Sequence, residues 1–338
     1  MKQAVMTAPG TIEIRDVPTP SPGPGEVLVR VRRIGVCGSD VHVYHGRHPY
    51  TSYPVIQGHE FAGVVEAMGT GVKGINLGTK VTAMPQIVCG RCAPCRRGAY
   101  HICDELKVQG FQAPGCAQEW FVTRADQIVP LPGTFTFEQG ALVEPTAVAI
   151  RAVSRAGELA HRNTVVLGAG PIGNLVAQAA GSRGANILIT DLSDYRLEVA
   201  RASGLNTTCN AREESLAAAV ARVFGAAGFD VAFECAGVEP TITAAVETIQ
   251  KGGTIVVVGV FGDKPRVDLG LIQDHELNLH GTLMYQRRDY EQGVELIAAR
   301  KIVTEPLMSK HFSLEEYAEA YAFIANQREK SLKVFITL

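Results

Sequence analysis

The stretch "NTVVLGAGPIGNLVAQAAGSRGANILITD", residues 163–191, most strongly limits how this chain of 338 residues can fold. It reads as an apolar strand, a tight glycine turn, a helix and a second apolar strand. Further buried strands are predicted at "FDVAFECAG" and "GTIVVVGVFG", with a helix between them that ends on glycines. Strands that alternate with helices form parallel sheets covered on both faces. We therefore predict an α/β fold with a doubly wound parallel sheet.

The glycine turn has the spacing of a phosphate-binding loop, with Gly168, Gly170 and Gly173 in a G-x-G-x-x-G pattern. The pattern alone is weak, but here it follows a strand, opens a helix and precedes Asp191, which ends the next strand. Glycines at these positions allow a pyrophosphate to approach the backbone amides at the helix N-terminus. The other interpretation is an α/β domain that binds no nucleotide.

The predicted ligand is NAD(H), because a carboxylate at Asp191 can accept hydrogen bonds from both adenosine ribose hydroxyls and would repel a 2′-phosphate. Arg196 leaves some room for NADP, since its guanidinium could meet that phosphate. The predicted cofactor residues of this segment are Gly168, Gly170, Pro171, Ile172, Gly173, Asp191 and Arg196.

The chain before about residue 150 has a different composition and is rich in Gly, Pro and short runs of β-branched residues. "EVLVRVRRIGVC" and "EFAGVVEAMG" alternate as strands do, and turn residues separate them. The last residues, "SLEEYAEAYAFIANQREKSLKVFITL", predict an amphipathic helix followed by a strand. We therefore expect a second, mostly β domain.

Charge and hydropathy exclude some classes of function. The 32 Lys and Arg nearly balance the 34 Asp and Glu, so we expect no nucleic-acid surface. The N-terminus lacks the apolar core of a signal peptide, and the sequence lacks the long apolar run of a membrane span, so we expect no membrane contact. The eight cysteines are then expected in the reducing cytoplasm, where clustered thiols favour metal binding or catalysis.

Four of these cysteines, Cys89, Cys92, Cys95 and Cys103, lie within "CGRCAPCRRGAYHICDE". Four thiolates satisfy tetrahedral zinc and leave no open position, so this pattern predicts a structural zinc site. An iron–sulfur cluster and two disulfides are the alternatives. The spacing matches only part of a ferredoxin run.

A second group of candidate site residues is scattered through the first domain: Cys37, Ser39, Asp40 and His42 in "GVCGSDVH", His59 and Glu60 in "GHEFAG", and Glu144 in "LVEPTA". Mixed Cys, His and carboxylate ligands with room for water are typical of catalytic zinc. On residue type alone this is only suggestive, because single buried histidines and cysteines are usually packing residues.

These motifs together resemble the zinc-dependent medium-chain dehydrogenases along essentially the whole chain. "GHEFAGVVEAMGTGV" is similar to the zinc signature of that family, and "CGSDVH" is similar to its first zinc ligand and proton relay. The resemblance implies two Zn²⁺ per chain, with the catalytic zinc bound by Cys37, His59 and either Glu60 or Glu144. It also implies that Ser39 and His42 carry the substrate proton to solvent. Residues that approach the nicotinamide would be Val258, Gly259, Val260, Leu283 and Met284.

The resemblance also implies the domain organisation. A GroES-like catalytic domain would comprise residues 1–147 and 291–338, with an inserted NAD-binding Rossmann domain at 148–290. The active site would lie between them. Relatives suggest a homodimer or homotetramer.

"LVEPTAVAI" looks like the sorbitol and polyol branch of the family, which includes sugar-acid dehydrogenases. The expected reaction is therefore hydride transfer between NAD and a secondary alcohol of a polyol, sugar or sugar acid. An L-threonine 3-dehydrogenase or a simple alcohol dehydrogenase is the runner-up. A non-catalytic zinc- and nucleotide-binding redox sensor is the alternative from another class. Arg287 and Arg288 are candidates for contact with a carboxylated sugar, or are surface residues.

Overall fold

The computed structural model describes residues 1–327 and 329–338. Its strands, in chain order, are β1 (Lys2–Ala8), β2 (Thr11–Asp16), β3 (Glu26–Gly35), β4 (Glu60–Met68), β5 (Lys80–Ala83), β6 (Gln86–Ile87), β7 (Lys107–Val108), β8 (Trp120–Arg124), β9 (Ile128–Pro130), β10 (Asn163–Leu167), β11 (Asn186–Asp191), β12 (Thr208–Asn210), β13 (Val231–Glu234), β14 (Thr254–Val257), β15 (Asn278–Gly281), β16 (Met308–Ser313) and β17 (Lys333–Thr337).

The α-helices are α1 (Gly38–Tyr44), α2 (Ala93–Arg96), α3 (Phe137–Ala141), α4 (Val143–Ser154), α5 (Pro171–Gly181), α6 (Asp194–Ala202), α7 (Leu216–Phe224), α8 (Glu239–Thr248), α9 (Leu269–Asp274), α10 (Arg287–Ala298) and α11 (Tyr317–Asn326). Within the described ranges, no helix is long and apolar enough to cross a membrane.

The chain forms two compact units. The first contains residues 1–144, 286–298 and 308–338, and the second contains residues 145–285 and 299–307. These limits differ from the predicted domain boundaries, most clearly at residues 299–307, which belong to the second unit. There the backbone N–H and carbonyl of Val303 bond to the side chain of Gln178 on α5, at 2.6 and 3.0 Å.

The second unit is built on a six-stranded parallel sheet with the order β12-β11-β10-β13-β14-β15. All four residues of β13 are buried, as expected for a strand covered by helices on both faces. The order reverses between β10 and β13, and the carboxyl ends of strands at such a switch point form a ligand crevice. The predicted doubly wound parallel sheet is confirmed.

The first unit contains a seven-stranded, mainly antiparallel sheet with the order β16-β17-β3-β4-β5-β9, in which β8 also pairs with β3. The C-terminal strand β17 lies beside β3, antiparallel to it, so the end of the chain completes the sheet begun by its first residues. The buried core of this unit includes Val29, Ile34, Phe61 and Phe121. This sheet holds the N-terminal motifs and the C-terminal residues in one framework.

Candidate metal centres and dinucleotide loop

The four-cysteine lobe forms a tight cluster of sulfurs. The Sγ of Cys103 lies 3.8 Å from that of Cys92 and 3.5 Å from that of Cys89. One sulfur from each of the four cysteines lies within 4.8 Å of all the others, and all are free thiols. The backbone N–H groups of Cys89 and Glu105 point at the Cys103 sulfur, at 3.3 and 3.4 Å.

This geometry fits zinc. With Zn–S bonds of about 2.3 Å in a tetrahedron, neighbouring sulfurs lie roughly 3.8 Å apart. The thiols also need a cation to ionise together. A backbone hydrogen bond from Asp104 lowers the pKa of Cys92 to about 7, whereas burial, with hydrogen bonds to Cys92 and Cys103, raises the pKa of Cys95 to about 12. Four neighbouring thiolates are stable together only with a bound metal ion.

A second set of donor atoms converges in the same unit, where Cys37, His59 and Glu60 each place one within 4.8 Å of the others. Strand pairing explains the convergence. Gly35 at the end of β3 is in register with Glu60 at the start of β4, so the residues just beyond β3 come beside those that open β4. A side chain on Gly35 would meet a Glu60 carboxylate oxygen at 2.4 Å, so a larger residue there would displace this carboxylate.

Asp40, in the first turn of α1, orients His59. Its carboxylate accepts the backbone N–H of Cys37 at 3.0 Å, and its other oxygen lies 3.5 Å from Nδ1 of His59. Burial lowers the pKa of His59, but the Asp40 charge and hydrogen bonds to Asp40 and Cys37 outweigh it, and the net pKa is raised well above its ordinary value. A carboxylate behind a histidine is the usual support of a metal-binding imidazole.

Glu60 has a partner that sequence reasoning missed. Lys333 on β17 is buried, and its Nζ lies 2.8 and 2.7 Å from the two carboxylate oxygens of Glu60. Burial lowers the pKa of Lys333, but the charges of Glu60 and Cys37 raise it above its ordinary value. The one available signal was a lysine that opens the largely apolar final strand, "KVFIT".

Glu144 lies outside the convergent set. It is buried in the first turn of α4, and its negative charge contributes to the raised pKa of Lys333. The structure therefore groups Glu60, but not Glu144, with Cys37 and His59.

The two residues of the predicted proton relay lie one turn apart on α1. The Ser39 hydroxyl is half-buried and donates to the Cys37 sulfur at 3.1 Å, and His42 is exposed in the last turn of the helix. Ser39 is thus beside a candidate metal ligand, and His42 is at the surface of the same helix.

The glycine loop has the geometry expected for a dinucleotide. Gly168 follows β10 with φ +102°, Gly170 caps α5, and Pro171 occupies its first turn. A Cβ on Gly173 would lie 1.8 Å from the carbonyl oxygen of Gly168, whereas one on Gly170 would meet nothing within 4 Å. Gly173 is therefore fixed by packing, and Gly170 leaves open space at the helix N-terminus.

Asp191 ends β11 beside this loop. One carboxylate oxygen accepts the backbone N–H of Ala169 at 2.7 Å, and the other accepts that of Ser193 at 2.9 Å. Arg196 lies 3.7 Å from the carboxylate. Asp191, the candidate ribose-binding residue, and Arg196, the candidate for a 2′-phosphate, thus both lie at the edge of the sheet where the loop lies.

The remaining predicted cofactor residues follow strands. Ile172 is in α5. Val258 and Gly259 follow β14, and their backbone N–H groups donate to the Glu234 carbonyl at 2.8 Å. Val260 is 79% exposed, and Leu283, beyond β15, is 54% exposed. Met284 has φ 49°, a strained value for a side chain of this size. All lie beyond the carboxyl ends of parallel strands.

The Arg287 guanidinium is hydrogen-bonded to backbone carbonyls of the protein, so it is not free to bind a carboxylated sugar. Its guanidinium donates to the carbonyls of Ile128 and Asp126, and its backbone N–H donates to the Tyr100 hydroxyl. The guanidinium therefore secures the start of α10 to the strand region at β9.

Two family models match the chain: the alcohol dehydrogenase GroES-like domain over residues 23–133, and the zinc-binding dehydrogenase over residues 171–299. Together they cover the metal ligands of the first unit and most of the parallel sheet of the second. The predicted GroES-like domain is thereby confirmed.

Named relatives extend over most of the chain. It is 38% identical over 303 residues, 89% of each chain, to the 2-dehydro-3-deoxy-L-galactonate 5-dehydrogenase of Pseudoalteromonas atlantica. It is 32% identical over 344 residues to the sorbitol dehydrogenase of Bacillus subtilis, covering 99% of this chain and 97% of the relative.

A solved structure shares the whole fold. A zinc-binding dehydrogenase from Sinorhizobium meliloti, bound to NADP, is 30% identical with a TM-score of 0.91, covering 100% of this chain and 99% of that one. The chain thus belongs to the zinc-binding alcohol dehydrogenases, and within them to the branch that contains the polyol and sugar-acid dehydrogenases.

Proposed function

We propose that this protein interconverts a secondary alcohol of a polyol or sugar acid and its ketone, with NAD as hydride acceptor, at a zinc bound by Cys37, His59 and Glu60. The observation that carries the proposal is the convergence of these three donors, separate from the four-cysteine cluster. Two cofactors divide the chemistry: bound zinc supplies Lewis acidity to the substrate hydroxyl, and NAD supplies a two-electron acceptor.

The reaction removes a hydride from carbon and a proton from oxygen. The protein's part in the proton step is assigned to Ser39 and His42. In this proposal the half-buried Ser39 hydroxyl receives the substrate proton, and exposed His42, one turn along α1, releases it to water. Bound NAD would supply its ribose hydroxyls as further carriers of this proton.

Glu60 is the preferred third ligand because it lies within the convergent set. Glu144 is the alternative, since it is buried and close enough to influence Lys333. Exchange between the two carboxylates would let a ligand position open when substrate enters.

The substrate class rests on the two relatives, one named for a sugar acid and one for sorbitol. The sugar-acid assignment does not depend on Arg287, whose guanidinium is held by backbone carbonyls. The polyol hydroxyls and any carboxylate would be bound by other residues.

The test is NADH formation, followed by absorbance, over a panel of polyols, sugar acids, threonine and simple alcohols. Cys37→Ser should lose turnover and retain one zinc. Cys209→Ser, which alters a buried thiol of the second unit, is the matched control and should keep both zincs and full activity. One zinc per wild-type chain, or turnover by Cys37→Ser, would contradict the proposal.

A homo-oligomer, dimer or tetramer, is also proposed. β15 is an edge of the six-stranded sheet, and Leu279 on it is 39% exposed. An open sheet edge with an apolar side chain is a surface on which a second copy can add strands. Light scattering of the wild type and of Leu279→Lys tests this, and a monomeric wild type would contradict it.

The proposed location is the cytoplasm. Its support is the full set of free cysteines, since two zinc sites of thiolate and imidazole donors persist best in a reducing compartment. Fractionation of the native host tests it, and recovery in an oxidising compartment would contradict it.

A further inference from the structure

A continuous line of buried polar groups connects the C-terminal helix α11 to His59. The Tyr321 hydroxyl donates to Oε1 of Gln57 at 2.7 Å. Nε2 of Gln57 lies 3.3 Å from the Asp40 carbonyl oxygen and 3.5 Å from its carboxylate oxygen Oδ1. The same Oδ1 lies 3.5 Å from Nδ1 of His59. Three buried side chains, from α11, from α1 and from the segment before β4, thus lead to one candidate metal ligand.

The three supporting side chains are removed from water: Tyr321 is 1% exposed, Gln57 2% and Asp40 0%. A buried amide costs free energy unless its hydrogen-bonding groups are satisfied. The Asp40 carbonyl oxygen and Oδ1 can only accept hydrogen bonds, so the Gln57 atom that faces them must be the amide nitrogen. The Tyr321 hydroxyl donates to the amide oxygen on the other side. This fixes the amide with its nitrogen toward Asp40.

Asp40 is thereby held from two sides. The Cys37 backbone N–H fixes Oδ2 at 3.0 Å, and the Gln57 amide shares Oδ1 with His59. A carboxylate fixed in this way presents Oδ1 to Nδ1 of His59. The other ring nitrogen is then left for the metal.

Tyr321 also packs directly against the helix that carries Asp40. Its ring stacks on that of Tyr44, the last residue of α1, with centroids 4.6 Å apart and planes at 1°. The one tyrosine therefore positions α1 through its ring and Gln57 through its hydroxyl.

We propose that Gln57 and Tyr321 are positioning residues for the His59 ligand, acting through Asp40. The inference rests on the proposed zinc at Cys37, His59 and Glu60. Neither residue is among the convergent donors Cys37, His59 and Glu60. Their effect is to restrict the imidazole to the orientation in which it binds.

Two variants test the two links separately. Tyr321→Phe removes only the hydroxyl and keeps the stacked ring. Gln57→Leu removes both ends of the amide with little change in volume. Tyr290→Phe is the matched control: it removes another fully buried hydroxyl of the same unit, which donates to the Ala83 carbonyl at 3.2 Å.

The first measurement is the affinity of each zinc, by competition with a chelator. Supporting groups behind metal ligands typically contribute about 10- to 100-fold to metal affinity. We expect Gln57→Leu to weaken the second zinc by about 10-fold and Tyr321→Phe by less. The four-cysteine zinc should be unchanged in both, and both zincs unchanged in Tyr290→Phe.

The second measurement is the visible spectrum of protein carrying cobalt(II) at the second site. We expect the bands to shift in Gln57→Leu and Tyr321→Phe, because the imidazole is less restricted, and to stay in place in Tyr290→Phe. A general loss of packing would not produce this selectivity. Where Gln57→Leu does not fold, Tyr321→Phe alone decides the outcome.

Unchanged affinity and spectrum in the variants that fold, or an equal effect of Tyr290→Phe, would overturn the inference. Failure of the proposed function looks different: the wild-type protein would then bind no zinc beyond the four-cysteine site.

Discussion

Lys333, on the last strand of the chain, holds both carboxylate oxygens of Glu60, at 2.8 and 2.7 Å, with each side chain almost completely buried. Lys333 also donates to the Val36 carbonyl at 3.3 Å, one residue before Cys37. The C-terminal strand is therefore part of the candidate metal centre as well as of the sheet.

Lys333→Met should destabilise the zinc-free protein by about 3–5 kcal/mol, since it leaves the Glu60 carboxylate buried without its partner. The loss should be smaller with zinc bound, because the cation would replace the missing positive charge. Denaturant midpoints of the zinc-free and zinc-loaded variants measure both effects.

The control is the double variant Lys333→Met with Glu60→Gln, which removes both charges. In the zinc-free state it should recover most of the lost stability, because removing both partners of a buried pair costs much less than removing one. An equal loss with and without zinc would argue against Glu60 as a ligand.

Removal of the four-cysteine metal should be separable from the second site. Cys95→Ser should reduce the zinc content from two ions to one and lower the stability of the lobe, because the closed thiolate set loses a ligand. Elemental analysis and chelator release measure this. Loss of both zincs together would show that the two sites are not independent.

Asp191→Ala should weaken NAD by about 10-fold or more, since even one hydrogen bond to a charged group contributes about 1.5–3 kcal/mol. It should also relax discrimination against NADP, because Arg196 loses the carboxylate 3.7 Å away. Fluorescence titration with both nucleotides measures the change.

Asp191→Asn is the matched variant. Its side-chain oxygen can still accept the Ala169 N–H, which the carboxylate accepts at 2.7 Å, while the negative charge is lost. We expect it to relax discrimination against NADP with less loss of loop stability. Unchanged preference in both variants would place Asp191 away from the ribose.

Sequence alone predicted those features that depend on local spacing. The parallel sheet follows from buried strands separated by helices, and the four-cysteine lobe from ligands within fifteen residues, Cys89–Cys103. The register of Gly35 with Glu60 explains why the Cys37 and Glu60 motifs meet, and only family resemblance could suggest that in advance.

The supports of the second site could not be predicted, because they join distant parts of the chain through buried polar contacts. Lys333 is 273 residues from Glu60, and Tyr321 is 264 from Gln57. Hydrophobic periodicity reports which face is buried, not which polar group inside it meets which partner. The same limit applies to Arg287, which sequence position suggested as a contact for a carboxylated sugar. Its guanidinium instead binds a backbone carbonyl of the protein, a contact that the sequence could not reveal.

Two glycines of the loop allow the effects of a substitution on folding and on cofactor binding to be measured separately. Gly170→Ala should fold like the wild type, because a Cβ there meets nothing within 4 Å and the backbone φ is −64°. It should nevertheless weaken NAD binding, because the new methyl group fills the space that the pyrophosphate approaches. Gly173→Ala should instead destabilise the second unit, because its Cβ would lie 1.8 Å from the Gly168 carbonyl oxygen. Thermal unfolding and nucleotide titration together distinguish the two. Normal NAD affinity in Gly170→Ala would mean that the pyrophosphate does not bind at the start of α5.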